Sequence, residues 1–179
     1  MLTIRDFVAT DIAAVTAIYA EAVQNGTGSY EIEPPSLAEM QRRFTAFQSD
    51  GFPVLIAEEA GEVVGYAYVN YFRTRPAYRW MVEDSIYVAP KAKGRSVGKA
   101  LLRTLIERAE ALGFRQMLAV IGDGDNNIAS VRLHASLGFR QCGRIEGSGF
   151  KHGRWLDTVL MQLPLNGGKA SAPSSLPPA

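Results

Sequence analysis

The sequence has little of several residue types on which common classes of site depend. Its 179 residues contain one cysteine, Cys142, and two histidines, His134 and His152. A single thiol excludes an internal disulfide, and so few ligands exclude a metal cluster built from thiolates. No apolar run is long enough to span a bilayer, and no basic leader with a long apolar core opens the sequence. We therefore expect a cytoplasmic protein that needs no metal and no membrane.

Neither sign of charge is in excess. Lys and Arg number 19 and Asp and Glu 18, for a formal net charge of +1. Without a basic field, nothing indicates a nucleic-acid partner. The hydrophobic fraction of 47% is enough for one full core in a chain of this length. Gly, Ser, Ala and Pro dominate from residue 166 onward, so we expect a domain over 1–165 and a disordered, solvated tail over 166–179.

The periodicity of apolar residues predicts a mixed sheet covered by helices. Helical spacing predicts amphipathic helices behind a cap at Asp11, behind a capping box at Ser36 and Glu39, after residue 97, and behind a cap at Asn127. Strand-like runs lie at 3–5, 54–58, 63–71, 81–88, 117–121, 139–146 and 155–163. Because they come both as hairpins and as strand–helix–strand units, we expect an α/β fold with a central mixed sheet.

One predicted strand, Met81-Val-Glu-Asp-Ser-Ile-Tyr-Val88, carries two acidic residues on opposite faces. Period two puts Glu83 beside a serine and a tyrosine, and Asp84 beside valines and an isoleucine. A carboxylate on the polar face of a central strand is a candidate general base, although the pattern alone fits a solvent-facing glutamate equally well. Asp84 is predicted to be structural.

A loop rich in glycine and basic residues, Lys93-Gly-Arg-Ser-Val-Gly-Lys99, links this strand to an amphipathic helix. Its amides and the helix N-terminus could bind a pyrophosphate, but a solvated turn has a similar composition. Three residues between Gly94 and Gly98, with Ala100 after Lys99, exclude a nucleotide-hydrolase P-loop. The late position and the lack of a third glycine exclude the dinucleotide fingerprint.

These segments resemble the GCN5-related N-acetyltransferase (GNAT) family. Ser85-Ile-Tyr-Val88 with the loop from Lys93 to Gly98 is similar to the acetyl-CoA signature of that family, and residues 127–139 are similar to its second cofactor segment. Within the family, the sequence resembles the phosphinothricin and methionine sulfoximine acetyltransferases. Pieces spread over the domain carry this likeness, among them Gly51-Phe-Pro53, Ala119-Val-Ile-Gly122 and Lys151-His-Gly-Arg-Trp155.

The resemblance implies a fold, a reaction and partners. The implied fold is a mostly antiparallel, twisted sheet with helices on both faces. The implied reaction moves an acetyl group from acetyl-CoA, without a metal, to the amine of a small amino-acid-like acceptor in a ternary complex, and the implied assembly is a homodimer. Acetylation of polyamines or protein N-termini, or acetyl-CoA sensing without turnover, are the alternatives.

The resemblance also implies which residues bind the cofactor. They lie at the end of the strand, in the basic loop and in the second segment: Ile86, Tyr87, Val88, Lys93, Gly94, Arg95, Ser96, Val97, Gly98, Lys99, Asn127 and Ser130. Ser96 stands where the family usually has a glycine. We expect a serine to fit there with a negative φ.

Two residues are expected to carry the chemistry. Acetyl transfer needs an unprotonated amine, a donor for the developing oxyanion and an exit for the thiolate. In the family context Glu83 is the expected base, acting directly or through a water. His134 is the expected acid for the departing thiolate, where many relatives have a tyrosine. A histidine that only packs beside Leu133 and Leu137 is the alternative interpretation.

Aromatic and arginine side chains are expected to bind the acceptor. The predicted set is Tyr30, Phe72, Arg73, Arg79 and Trp155, with Tyr78 as a further aromatic. A guanidinium binds a carboxylate through two parallel hydrogen bonds, so Arg73 and Arg79 are the predicted clamps. By the resemblance, Arg73 falls on the substrate-binding arginine of the family. Arg75 lies nearby with no assigned role.

Overall fold

The computed structural model describes residues 1–173 and residue 177. Within that part, the strands form one seven-stranded sheet in the order β1-β2-β3-β4-β5-β7-β6. Only β4 and β5 run parallel, which confirms the predicted mixed, mostly antiparallel sheet. The strand bounds are β1 Leu2–Asp6, β2 Val54–Glu59, β3 Glu62–Tyr71, β4 Met81–Val88, β5 Gln116–Gly122, β6 Arg140–Lys151 and β7 Arg154–Pro164.

Helices cover both faces of this sheet, as predicted. They are α1 Ile12–Asn25, α2 Leu37–Ser49, α3 Val97–Ala111 and α4 Ile128–Ala135. Successive residues of a strand point to opposite faces, so Ile56 packs in the core under α1 and α2, and Leu55 packs in the core under α3. None of the helices in the described part of the chain is long and apolar enough to cross a membrane.

The apolar stripe of α3 is buried as predicted. Val97, Leu101, Leu105 and Ala109 are each at most 3% exposed. Burial of this stripe against the sheet stabilises the helix, because each fully buried aliphatic side chain contributes roughly 1.5–3 kcal/mol. The loop before α3 is therefore held in a fixed place relative to the end of β4.

The predicted helix caps formed only in part. The Ser36 hydroxyl accepts from the Glu39 amide at 3.2 Å, as expected. The other half of the capping box, from the Ser36 amide to the Glu39 carboxylate, is not formed, because that carboxylate pairs with arginines of α2. Asp11 stands at the N-cap of α1 as predicted, but its side chain makes no capping bond to that helix, because its carboxylate pairs with Arg5 at 2.7 Å and accepts from the Val8 amide at 2.9 Å. The Asn127 side chain also makes no capping bond, although Asn127 does stand at the N-terminus of α4.

The hairpin of β6 and β7 is longer than the sequence indicated. Its glycines predicted a loop over 147–153, but β6 continues to Lys151 and turns at His152 and Gly153, both with positive φ. Register shifts between Ile145 and Gly149 absorb the irregular spacing, as β-bulges do.

Part of the predicted solvated tail is packed against the domain. The Asn166 side-chain amide donates to the carbonyls of Glu110 and Phe114 at 2.8 and 3.0 Å. The Arg115 guanidinium donates to the Gly168 carbonyl. The packed chain therefore extends past residue 165 at least to Ser171, because the Arg115 guanidinium also donates to the Ser171 carbonyl at 3.0 Å. Residues 174–176 and 178–179 of the predicted tail lie outside the described residues.

Candidate active site

The sheet opens between its two parallel strands. β4 and β5 pair from Met81 with Gln116 up to Asp84 with Ala119, and both strands continue beyond this last pair without bonding each other. The end of β4 still pairs with β3 on its other side. Every second residue of the unpaired β4 edge therefore directs its N–H and C=O into the gap. An extended polar ligand can bind there as a substitute strand.

A cavity of about 830 Å³ occupies this gap. Its wall combines β4 from Glu83 to Val88, the basic loop, the end of β5, α4 and the loop after α1. Most of the predicted cofactor and catalytic residues line it, namely Glu83, Ile86, Tyr87, Val88, Lys93, Gly94, Ser96, Val97, Gly98, Lys99, Asn127, Ser130 and His134. The structure thus brings together side chains that lie more than fifty residues apart in the sequence.

The basic loop meets the cavity at the N-terminus of α3. Gly94 has a positive φ, and the Ser96 side chain makes no capping hydrogen bond to the first turn of the helix. Those first amides and the partial positive charge of the helix end can bind an anion, with Lys93 and Lys99 beside them. Arg95 differs from its neighbours, because it pairs with Glu59 at 2.7 Å and lies outside the cavity wall.

Ser96 adopts a conformation that differs from the predicted one. Its φ is +63° and its ψ 8°, in the left-handed region, where we had expected a negative φ. The turn from loop to helix requires this conformation, and a glycine would adopt it without a Cβ clash. A left-handed serine costs roughly 1–2 kcal/mol. The loop is therefore strained at the residue where the family usually has glycine.

Replacing Ser96 with glycine should stabilise the protein. We expect the free energy of unfolding to rise by about 1 kcal/mol and the melting temperature by roughly 2–4 °C, since the variant loses the strain at φ +63°. Thermal unfolding followed by circular dichroism measures this. The matched change at Ser136, where φ is −65°, should lower stability instead. A lower melting temperature for Ser96→Gly would refute the argument from strain.

Glu83 lies in the middle of β4, on the wall of the cavity. Burial, aided by the negative charge of Asp84, raises the pKa of the Glu83 carboxyl to about 7. A carboxylate with a pKa near neutrality holds its accepted proton far better than an ordinary surface glutamate does. Glu83 can therefore take a proton from a ligand in the cavity and release it again near pH 7.

His134 is buried between α4 and β4. The ring is 4% exposed. Its Nδ1 lies 2.7 Å from the Ser130 carbonyl oxygen, and its Nε2 lies 3.1 Å from Oδ2 of Asp84. The acid role predicted for His134 stays a prediction, and a proton that left either nitrogen would first break one of these contacts. Asp84, predicted to be structural, shares the cavity wall with His134.

The loop after α1 closes the other side of the cavity, and Tyr30 fixes it in place. The Tyr30 hydroxyl lies 2.9 Å from the Thr158 hydroxyl oxygen. Its ring packs directly on two glycines, because a Cβ at Gly122 or Gly149 would come within 2.8 Å of a ring atom. Tyr30 lines the cavity, so its predicted contact with the acceptor remains open.

Asp123, to which the sequence analysis assigned no role, anchors the same loop. It is 4% exposed and accepts hydrogen bonds from the side chains of Thr27, Asn126 and Arg154 at 2.8 to 3.0 Å. The hydrogen bond from Arg154 lowers the pKa of Asp123 to about 2. The run Gly122-Asp-Gly124 at the end of a predicted strand was the signal that could have identified this turn.

The other predicted acceptor residues lie outside the cavity wall. Phe72, Arg73 and Arg79 belong to the turn between β3 and β4, where the Arg73 guanidinium lies 5.0 Å from the Phe72 ring centroid. Trp155 is 67% exposed and packs edge-on against Phe150. These four residues therefore do not line the cavity with Glu83, and their contact with an acceptor stays a prediction.

The described residues offer no cluster of three or more His, Cys, Asp or Glu side chains arranged to hold a metal ion. The cavity instead presents backbone amides, two lysines and a glutamate with a raised pKa. This donor set suits a phosphate-bearing, amide-containing ligand and a proton transfer next to it.

The chain is similar to known proteins in sequence and in fold. Residues 15–139 match the model of the acetyltransferase (GNAT) family. The chain is 48% identical over 171 residues to a phosphinothricin N-acetyltransferase from Alcaligenes faecalis, covering 96% of this chain and 86% of the relative. It is 42% identical over 165 residues to an L-methionine sulfoximine/L-methionine sulfone acetyltransferase from Pseudomonas aeruginosa, covering 92% of this chain and 95% of the relative. A solved phosphinothricin acetyltransferase from Sinorhizobium meliloti, in complex with AcCoA, is similar with a TM-score of 0.94 and 51% identity, covering 97% of this chain and 94% of that one.

Proposed function

Because this chain belongs to the acetyltransferase (GNAT) family, we propose that it transfers an acetyl group from acetyl-CoA to the amine of a small amino-acid-like acceptor. The observation that carries the proposal is the open edge of β4, with Glu83 on the wall of the gap. Named relatives that act on phosphinothricin and on methionine sulfoximine support the class of acceptor. Polyamines, protein N-termini and acetyl-CoA sensing without turnover are less favoured.

The residues of the cavity fit acetyl-CoA. The amides at the start of α3, with Lys93 and Lys99, suit a pyrophosphate. The unpaired β4 edge suits the amides of a pantetheine arm, and Asn127 and Ser130 face it across the gap from α4. Gly98 keeps α3 close to α4, because a Cβ there would lie 3.2 Å from Leu133 Cδ2. Bound here, acetyl-CoA supplies an activated thioester.

In the proposed mechanism, the chain orients the two reactants and moves one proton. Backbone N–H groups near Ile86 and Val88 stabilise the negative charge that develops on the thioester oxygen. Glu83 accepts the proton of the amine, directly or through a water, as the C–N bond forms and the C–S bond breaks. The electron pair of the broken bond leaves with the thiolate, next to His134. Glu83 then returns its proton to solvent.

A panel of amines tests which acceptor is used. Thiol release from acetyl-CoA should be fastest with phosphinothricin or methionine sulfoximine. Spermidine and a peptide with a free N-terminus represent the alternatives in the same assay. If either gave the larger kcat/KM, the amino-acid-like acceptor would be wrong while the acetyltransferase activity stood. If the protein bound acetyl-CoA but released no thiol in the presence of any amine, acetyl-CoA sensing without turnover would be favoured.

We propose Arg73 as the residue that binds the acceptor carboxylate, with Arg79 as the second candidate. Losing a charge-assisted hydrogen bond costs about 1.5–3 kcal/mol, so Arg73→Ala should lower kcat/KM roughly ten- to a hundredfold. The acetyl-CoA affinity should barely change, because Arg73 does not line the cavity that the loop from Lys93 to Lys99 borders.

The decarboxylated analogue of the same acceptor is the control for Arg73. It should be a poor acceptor for the wild type and should lose little more in the variant. An amine without its carboxylate that reacted as fast as the parent compound would remove the role of Arg73.

We further propose that the enzyme works in the cytoplasm as a homodimer. The exposed thiol of Cys142 suits a reducing compartment. Phe150 and Trp155 expose more than half of their surface on the hairpin of β6 and β7, at the edge of the sheet, and could be covered by a second copy. Light scattering on the protein and on a Trp155→Ser variant tests the dimer.

A further inference from the structure

Asp84 stands where the sheet opens. It belongs to the last pair of residues that joins β4 to β5, and it is 8% exposed. Its Oδ2 lies 3.1 Å from His134 Nε2, whereas its Oδ1 is buried without a hydrogen-bond partner among the described residues. A buried carboxylate costs free energy unless a cation compensates it. Among the described residues, the only polar contact of the Asp84 carboxylate is therefore the one with His134.

Both nitrogens of the His134 ring face acceptors. Nε2 faces the Asp84 carboxylate, and Nδ1 lies 2.7 Å from the Ser130 carbonyl oxygen, which cannot donate. The Ser130 hydroxyl is farther from Nδ1, at 3.4 Å, and Phe139 contacts the ring edge-on. An imidazole between a carbonyl oxygen and an ionised carboxylate satisfies both contacts only when both nitrogens carry protons.

We infer that Asp84 is a positioning residue, which holds His134 doubly protonated and in one orientation at the point where β4 and β5 separate. The inference deepens the proposed function and rests on it, because it concerns the leaving-group side of the same cavity. A ring that donates hydrogen bonds from both of its N–H groups to fixed acceptors stays positively charged and in one orientation. His134 then acts by its charge, and the transferred proton passes through Glu83.

The charge of the same carboxylate also affects the pKa of Glu83, the preceding residue of β4. Burial raises the pKa of Glu83, and the negative charge of Asp84 raises it further. Burial alone would lower the pKa of His134, but the hydrogen bond to Asp84 and the charge of Asp84 raise it. A plot of kcat against pH should therefore have two limbs, one on each side of its maximum. Activity falls at low pH as Glu83 gains a proton, and it falls at high pH as His134 loses one.

The protonation of His134 can be observed without turnover. In ¹⁵N spectra of the imidazole rings at pH 7, both nitrogens of His134 should carry protons in the wild type. The other histidine, His152, is exposed, and a His152→Gln variant assigns the two signals. An unprotonated Nε2, as in a neutral histidine that accepts from a protonated Asp84, would overturn the inference even if the acetyltransferase activity were established.

Replacing Asp84 with asparagine tests the positioning role. Without the negative charge, His134 should become singly protonated at pH 7, and both limbs of the kcat profile should move to lower pH. We expect kcat to fall roughly ten- to a hundredfold, as for the loss of a charge-assisted hydrogen bond. Unchanged limbs and an unchanged His134 spectrum in a folded variant would also overturn the inference.

Asp11→Asn is the matched control. Asp11 is 6% exposed and pairs with Arg5 at the end of β1, outside the cavity wall. Loss of this partly buried ion pair should lower stability, but it should leave the His134 spectrum and the pH dependence of kcat unchanged. If Asp84→Asn fails to fold, the wild-type spectrum alone still decides whether His134 is doubly protonated.

Discussion

Replacing Glu83 with glutamine should lower kcat by roughly a hundred- to ten-thousandfold, the contribution of a positioned general base. Glutamine keeps the size of the side chain and cannot accept the proton. In the wild type, burial raises the pKa of Glu83 to about 7, so the active carboxylate is lost as the pH falls through 7. The wild-type kcat should therefore fall as the pH drops below about 7, and this fall should be absent from the pH profile of Glu83→Gln.

Part of the lost rate should return as the pH rises, because a free amine that is already unprotonated needs the base least. Rate measurements over a pH series with saturating acceptor test this. Glu146→Gln is the matched control, since Glu146 is exposed on β6 and lies outside the cavity wall. Wild-type rates for Glu83→Gln at every pH would remove Glu83 from the mechanism.

Replacing Gly98 with valine should abolish the stabilisation by acetyl-CoA. A ligand present at a hundred times its Kd stabilises the folded state by about 2.7 kcal/mol, which corresponds to a rise of roughly 5–10 °C in the melting temperature. At Gly98 even a Cβ would come to 3.2 Å from Leu133 Cδ2. The additional methyl groups of valine must either separate α3 from α4 or fill the cavity at the start of α3.

Thermal shift with and without acetyl-CoA measures the effect, with circular dichroism as the check that Gly98→Val is folded. Arg103→Val places the same β-branched side chain on the exposed face of α3, away from the cavity. It should keep the full shift. An undiminished shift in Gly98→Val would mean that the loop from Lys93 to Lys99 does not bind the cofactor.

The sequence predicted those parts of the fold that depend on local pattern. The stripe of α3 was predicted because its apolar residues repeat at helical spacing, and the hairpin of β2 and β3 was predicted from the adjacent strand-like runs at 54–58 and 63–71. The strand, the basic loop and the helix follow one another directly in the chain, so this part of the cavity could be predicted as well. The reaction class, in contrast, came from the family resemblance.

The side-chain partners could not be predicted, because the tertiary fold selects them. Asp84 and His134 lie fifty residues apart, and only the packing of α4 beneath β4 brings them together. Asn127 was predicted from its type to cap α4, yet its amide donates to the Gly122 carbonyl at 3.4 Å. The positive φ of Ser96 followed from the geometry of the turn, which its sequence did not reveal.

The most direct test of the proposed function measures both products of one reaction. The wild-type protein is incubated with acetyl-CoA and either phosphinothricin or methionine sulfoximine, and mass spectrometry quantifies the N-acetylated amine while a thiol reagent quantifies free CoA. Acetyl transfer in the cavity between β4 and β5 predicts equal amounts of the two products and a strong loss of both in Glu83→Gln. Thiol release without an acetylated amine, or equal product from the variant, would contradict it.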